Sequence, residues 1–562
     1  GLAGIASLVE TARAEARAQD RACLLLDNGD LFQGNTMGAF LAGAEEVTGD
    51  HPVVRTMDEM GYDAIGTGNH DLDFGPAYLR KLSARLKMPM VASNLAGVDC
   101  GLQRAALLRS TLPGLEESLL VGVLSVLPSE TAQWNRHVMG PSAEVEPSVR
   151  CLERAIPELR AQGAQIIVVL AHMGITQDRI DQADSALALA GVPGIDALIA
   201  GHTHLRFPGR DHLAQAGVFP GKGQVLDVPA IMPGHAGSDL GVLDLTLRRD
   251  AGQGWRVIGH VSSLRKNTAA VPAQPAVAAA VEPAHTALRA HLAVPLGQTR
   301  QVLHNFFATA TPTQTGRLTA RAEALTVKAA LAGQAGADVP LLAATSAHSA
   351  GGRDGPDHFL CIPEGVVLRR HLAGLSPFSN ELWVLRLTGA DIARRLEHSL
   401  SAYSQLSASG CPRPLLRPDV PAFNYETIHG LDYQIDLKAP SGRRLVELRY
   451  QGAPLAPNQS FLLVTNQFRA AGGGGFEPVD PGDVVLRLPG IEEARFSEAL
   501  RCSDGALGWD APMPWRFCAA QGLFAELRTS PLAEAHLEDI AHLSPQIRGL
   551  RDDGFLSIEI AL

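Results

Sequence analysis

The chain of 562 residues has no Cys-x-x-Cys pair, and its seven cysteines form an odd set scattered from Cys23 to Cys518. That spacing excludes a thiolate zinc framework and a dense disulfide scaffold, and leaves Cys502 and Cys518 as a candidate bridge in an oxidising compartment. Long hydrophobic runs are also missing: no stretch approaches the roughly 20 apolar residues of a membrane-spanning helix. Cationic charge is in deficit, with 48 Lys and Arg against 59 Asp and Glu and a net charge of -11. A groove for a nucleic-acid polymer needs clustered Lys and Arg, so the expected partner is a small molecule instead. Aromatic residues make up only 5% of the chain, so an aromatic beside a glycine-rich turn stands out.

The length exceeds what one hydrophobic core supports, and an apolar fraction of 46% is enough for two. The opening has no methionine and no signal peptide, and it starts inside a helix whose apolar face carries Leu2, Ile5, Leu8 and Val9. It reads as a start cut within a domain. From Ala22 to Leu205 strand and helix signals alternate, the pattern of a layered α/β domain. Strands are expected at Cys23–Leu26, Ala64–Gly66, Met90–Ala92, Leu119–Leu124, Ile166–Leu170 and Ala197–Ala200, with further strands over 240–262. An Ala-rich helix from Ala276 to Ala293 reads as a semi-rigid linker. The expected organisation is a first α/β domain over 1–265, a linker over 266–296 and a second α/β domain over 297–562. The tail beyond about 480 shows little pattern.

Polar clusters follow four of the expected strands, and ligands of open α/β sheets bind beyond the carboxyl ends of their strands. The clusters are Asp27-Asn28-Gly29-Asp30, Gly68-Asn69-His70-Asp71 with Asp73, the single His172, and Gly201-His202-Thr203-His204. Asp, Asn and neutral His are donors suited to divalent transition metals, and two such sets joined by one carboxylate describe a dinuclear site. His202 and His204, two apart, are placed so that each could meet a different ion. The chemistry implied is metal-assisted hydrolysis, with a phosphate ester as the first candidate substrate.

The order Gly-Asp, Gly-Asn-His-Asp, His, Gly-His-x-His resembles the calcineurin-like metallophosphoesterases. Further motifs extend the resemblance to the secreted 5'-nucleotidase family, and within it to bifunctional 2',3'-cyclic-nucleotide 2'-phosphodiesterase/3'-nucleotidases. They are Gly351-Gly352-Arg353, Gly430-Leu-Asp-Tyr-Gln-Ile-Asp436 and Asn466-Gln-Phe-Arg-Ala-Ala-Gly-Gly-Gly-Gly475. The resemblance implies two divalent ions, of Zn, Mn, Co or Fe. Asp30 would bridge them, Asn69, His172 and His202 would complete one, and His204 would belong to the other. The second ion's remaining ligands in the family come from an Asp-x-His motif that this sequence does not contain, so one metal site is half built and the sequence as given is expected to bind that ion weakly and to be inactive for that reason. His70 would act on the transition state or the leaving group, oriented by Asp73, while Asp71 is expected to hydrogen-bond the loop.

On the substrate side, Phe468 matches a base-stacking aromatic of the family, and base–aromatic stacking contributes roughly 1–3 kcal/mol. Tyr425 is the expected second aromatic, with Phe423 as its competitor. Arg353 is a candidate for gripping a phosphate or ribose, since its guanidinium presents a planar fork of donors. Asn94 is a candidate substrate contact or turn residue. The implied function is hydrolysis of nucleotide phosphoesters, 2',3'-cyclic, 3' or 5'. The alternatives are a 5'-nucleotidase/UDP-sugar hydrolase and a degenerate nucleotide-binding protein. The family implies a periplasmic or extracellular location, and a monomer is the simplest state.

Overall fold

Runs of Val, Ile, Leu and Ala cannot be satisfied on one face only, so they settle as strands covered on both sides. In the computed structural model Ser118–Val126, Ile166–Ala171, Ala197–Ala200 and Val228–Pro233 do so, as neighbouring parallel strands extended antiparallel at one edge by Ala106–Thr111. A second, three-stranded parallel sheet is formed by Leu26–Asp27, Ala64–Gly66 and Met90–Val91. The two sheets share a core in which Ala64 and Val91 of the small sheet meet Val121, Val123, Val168 and Leu170 of the large one. Helix Ser148–Ala161 covers the outer face of the large sheet, and helices Leu2–Ala18, Pro52–Met60 and Pro76–Ser83 cover that of the small sheet. The long hairpin Asp239–Asp250 with Gly254–Lys266 adds Leu243, Leu245 and Val257 to the shared core.

The structure describes residues 1–562 apart from 44–50, 113, 115–117, 177–183, 213–215, 251–253, 335, 337, 353–354, 379, 409–411, 418–419, 421 and 510–512. Two compact units divide after Leu288, as Gly1–Leu288 and Arg289–Leu562. The division falls inside helix Pro275–Leu292, and Val277 is buried in the core of the first unit. Much of the segment read as a linker therefore packs with the first unit. The first expected strand is shorter and later than anticipated, at Leu26–Asp27, because the Leu25 amide donates to the Asp63 carboxylate at 2.7 Å instead of to a neighbouring strand.

The second unit is built on a five-stranded mixed sheet in the order Glu426–His429, Leu341–Ser346, Ser460–Asn466, Leu382–Thr388, Val484–Leu488. Helix Gln314–Leu331 packs on it, and helix Gly389–Leu400 starts at a Thr388 hydroxyl that accepts the Asp391 amide. The unpatterned tail contributes strands Phe524–Thr529, Gln546–Leu550 and Leu556–Ala561 to a four-stranded sheet. Cys502 and Cys518 are both free thiols, so no bridge joins them. No helix among the described residues is long and apolar enough to cross a membrane.

Candidate metal centre and active site

Asp30, Asn69, His172 and His202 each come within three residues after a parallel strand of the first unit, so one edge of the two sheets gathers them. Asp30, His172 and His202 each bring a ligand atom within 4.8 Å of the other two. The loops that do this are conformationally costly. Asp30, His202 and His204 take φ of 58°, 64° and 62°, a left-handed region that costs a non-glycine residue of order 1–3 kcal/mol and persists where neighbours enforce it. Asp71 is the enforcing group for the first loop. Its buried carboxylate accepts the amides of Asp30, Leu31, Phe32 and Gly68 at 2.8–3.0 Å, tying the loop after Leu26–Asp27 to the loop after Ala64–Gly66. The loop role expected for Asp71 is this one. Gly68 has no alternative, since a methyl there would overlap Asp30 Oδ1 and His172 Cε1.

The protonation pattern suits ligation. His172 Nδ1 lies 2.7 Å from the carbonyl of Asn28, which can only accept, so Nδ1 carries a hydrogen and Nε2 is the ring atom turned toward Asp30. That Nε2 is buried 3.0 Å from Asp30 Oδ2, and although burial disfavours the imidazolium of His172, the Asp30 carboxylate more than offsets this and raises its pKa, so a proton shared with Asp30 is what a divalent ion would displace. Asn69 is 4% exposed and its Oδ1 is buried without a partner. Orphaned buried acceptors cost free energy unless something coordinates them. The Asp–His–His cluster, with the adjoining Asn69 Oδ1 buried and unpartnered, fits a divalent cation. Burial pushes the Asp30 carboxylate up, but the imidazoles of His172 and His70 outweigh it and hold Asp30 well below the usual carboxylate range.

Beside the cluster His70 Nδ1 meets Asp73 Oδ2 at 2.7 Å, and the His70 amide donates to Asp30 Oδ1 at 2.8 Å. Burial disfavours the imidazolium of His70, but the Asp73 and Asp30 carboxylates more than offset it, raising its pKa to about 10. The other Asp73 oxygen accepts from Asn135 Nδ2 at 2.8 Å, and the same amide group reaches the Asn69 carbonyl at 3.2 Å. Asn135 thus fixes both the dyad and the ligand loop, and its neighbour Trp134 stacks on the His202 ring at 5.7 Å. Neither residue was visible in the sequence as part of the site, because the turn after Ser118–Val126 carries no metal-ligand spacing.

His204 stands apart from the three-residue cluster: it is exposed and its ring stacks on His235 at 4.3 Å. Asn94 is not a substrate contact. It is fully buried, donates to the carbonyls of Leu127 at 2.8 Å and Glu146 at 3.0 Å, and accepts the Leu127 amide at 3.0 Å, so its amide is consumed in pinning loops together. Tyr425 is not a stacking face either. It is 1% exposed, with its ring packed against Tyr403 and Trp515, because the chain entering strand Glu426–His429 turns it into the core. Phe468 is half-buried, and Gly473 lies so close to its ring that any larger residue would overlap it. Arg353 lies outside the described residues, as does the side chain of Phe423.

Oxygen and imidazole donors on the carboxyl edge of a layered α/β unit, with a His–Asp pair alongside, are the parts of a metal-dependent hydrolase. Residues 1–206 match the calcineurin-like phosphoesterase family, and residues 289–480 match the 5'-nucleotidase C-terminal domain. The 2',3'-cyclic-nucleotide 2'-phosphodiesterase/3'-nucleotidase of Salmonella typhimurium is 30% identical over 84% of this chain and 77% of its own. The trifunctional nucleotide phosphoesterase protein YfkN of Bacillus subtilis is 29% identical over 97% of this chain, which spans 39% of that longer protein. A solved 5'-nucleotidase precursor from Thermus thermophilus shares the fold with a TM-score of 0.62 at 21% identity, over 92% of this chain and 94% of its own. The chain belongs to the 5'-nucleotidase family of calcineurin-like phosphoesterases, a fold that binds divalent metal.

Proposed function

We propose that this chain hydrolyses phosphoesters of small nucleotides, with 2',3'-cyclic and 3'-nucleotides as the first substrates to test. The observation that carries the reading is the convergence of Asp30, His172 and His202, each with a ligand atom within 4.8 Å of the other two, next to the His70–Asp73 pair and with the adjoining Asn69 Oδ1 buried and unpartnered. Asp30, Asn69, His172 and His202 would hold one divalent ion, and a second ion sharing Asp30 would take His204. Zn, Mn, Co and Fe all suit the donors. When bound, such ions polarise the phosphoryl oxygens and offset charge on the leaving oxygen.

The chain's own residues do the rest. Asp73 holds His70 by Nδ1, which leaves Nε2 as the ring atom that can pass a proton to the departing ribose oxygen. Asn135 keeps Asp73 from rotating. Asp71 holds the Asp30 loop in its left-handed turn, so ligand and dyad keep their spacing. In the second unit Phe468 offers a ring face for a base, supported by Gly473 beneath it. A periplasmic or extracellular location belongs to the same reading, supported by the family resemblance, and a monomer is the simplest state.

The test is hydrolysis of 2',3'-cyclic AMP, 3'-AMP and 5'-AMP with added Mn or Co. With metal loaded, at least one of them should be hydrolysed, slowly because the second ion keeps only Asp30 and His204, and His70→Asn should lower that kcat by about 10²–10⁴ with bound metal unchanged. Nucleotide binding without turnover in metal-loaded protein would overturn the hydrolase reading and leave a nucleotide-binding protein.

A further inference from the structure

Among the described residues a second group of metal-ligand side chains lies in the other unit, outside the chemistry considered so far: His304, His536 and Asp539. Each brings a ligand atom within 4.8 Å of the other two, and His304 Nε2 is 2.9 Å from Asp539 Oδ2. The three residues come from segments more than 200 positions apart. His304 sits on strand Leu303–His304, which pairs with Cys361–Ile362. Its ring is 6% exposed and wedged between Phe306, at 4.6 Å, and Phe307, at 5.7 Å, so its orientation is fixed by packing. Nδ1 is buried with no hydrogen-bond partner.

The other two donors stand on the 3-10 segment Pro531–Leu543. The segment kinks at His536, and Asp539 follows it in the short stretch before the next kink at Ile540, which brings both side chains toward His304. The backbone breaks from helical geometry at His536, with φ -129°. The His536 ring comes to 4.6 Å from that of His304. This segment lies beyond residue 480, where the match to the 5'-nucleotidase C-terminal domain ends.

We propose that His304, His536 and Asp539 form a separate site for one divalent transition-metal ion, with zinc as the first candidate, which staples the C-terminal segment to strand Leu303–His304. Two imidazoles and a carboxylate are a zinc-type donor set, and the half-exposed Asp539 leaves the fourth position to water. An ion shared by two segments distant in sequence adds its binding free energy to the stability of the unit that holds them.

The test is equilibrium dialysis of the full chain against Co²⁺, with Zn²⁺ in competition, followed by thermal unfolding with and without metal. His536→Ala and Asp539→Asn should each bind one equivalent fewer of Co²⁺ than the unaltered chain and lose part of the metal-induced rise in Tm. His202→Ala, measured alongside, should lose metal from the first unit but keep the equivalent that His536→Ala removes. Both substituted positions are half-buried or exposed, and Asp539→Asn preserves shape, so the fold is retained for the measurement. Unchanged Co²⁺ stoichiometry in both variants would overturn the proposal.

Discussion

Two carboxylates, each 1% exposed, stand under the two working loops of this protein, and they are satisfied in opposite ways. Asp71 in the first unit accepts four backbone amides and no cation. Glu426 in the second unit is gripped by two guanidiniums, with Arg395 at 3.0 and 3.3 Å and Arg469 at 3.1 Å. The difference follows the charge each loop has to tolerate. Amides shape the Asp30 loop without placing a positive group beside a cation site, whereas a buried arginine there would repel the metal. Under Gly472–Gly475 two guanidiniums face one carboxylate, and Arg469 also donates to the Gly473 carbonyl at 2.7 Å, so that loop rests on excess positive charge. Burial lowers the pKa of nearby His348 to about 4, and Arg469 pushes it in the same direction.

The comparison predicts unequal costs for removing each carboxylate. Glu426→Gln should destabilise the second unit most, by about 4 kcal/mol, because it strands two buried guanidiniums. Denaturant unfolding measures this, and a loss below about 1 kcal/mol would mean that water reaches the arginines. Asp71→Asn keeps one acceptor but turns an NH₂ donor toward amides that need an acceptor, so about 3 kcal/mol should be lost as buried N–H groups go unpaired. Its sharper consequence is functional: once the Asp30 loop can leave its left-handed turn, metal affinity should fall at least tenfold, as read by dialysis. If stability falls while metal affinity holds, Asp71 is a structural clasp and not the enforcer of the ligand geometry.

The layered fold was readable in the sequence because its strands are continuous apolar runs, and Ile166–Ala171 and Ala197–Ala200 lie almost where the pattern put them. The cluster of Asp30, His172 and His202 was readable too, since ligands at the ends of parallel strands need only the strands to be right. Asn135 and Trp134 were not, because a side chain that props a ligand carries no spacing of its own. Tyr425 misled for a related reason: an aromatic next to a functional motif has the same local sequence whether it faces a ligand or the core, and only the strand that begins at Glu426 decides which. His304 and Asp539 are 235 residues apart, and no local pattern connects them.

His429 offers a third solution beside the two carboxylates, a buried ionisable group kept neutral, and its expected effect is the smallest of the three. It is 4% exposed, shares a hydrogen bond with the Thr345 hydroxyl at 3.0 Å and stacks on Trp509. Burial lowers its pKa to about 3, with Arg317 and Arg321 pushing in the same direction. Between that value and the ordinary imidazole value near 6.5, the unfolded chain binds one proton that the folded chain refuses. Stability therefore rises with pH across that window and is lost on acidification, at about 1.4 kcal/mol per pH unit, or about 2 kcal/mol between pH 6.5 and pH 5. His429→Gln can still bond Thr345 but cannot charge, so the difference in urea stability of the second unit between pH 7 and pH 5 should shrink by about that amount. An unchanged difference would mean that His429 takes up its proton within the fold, and that the second unit tolerates a further positive charge beside Arg317 and Arg321.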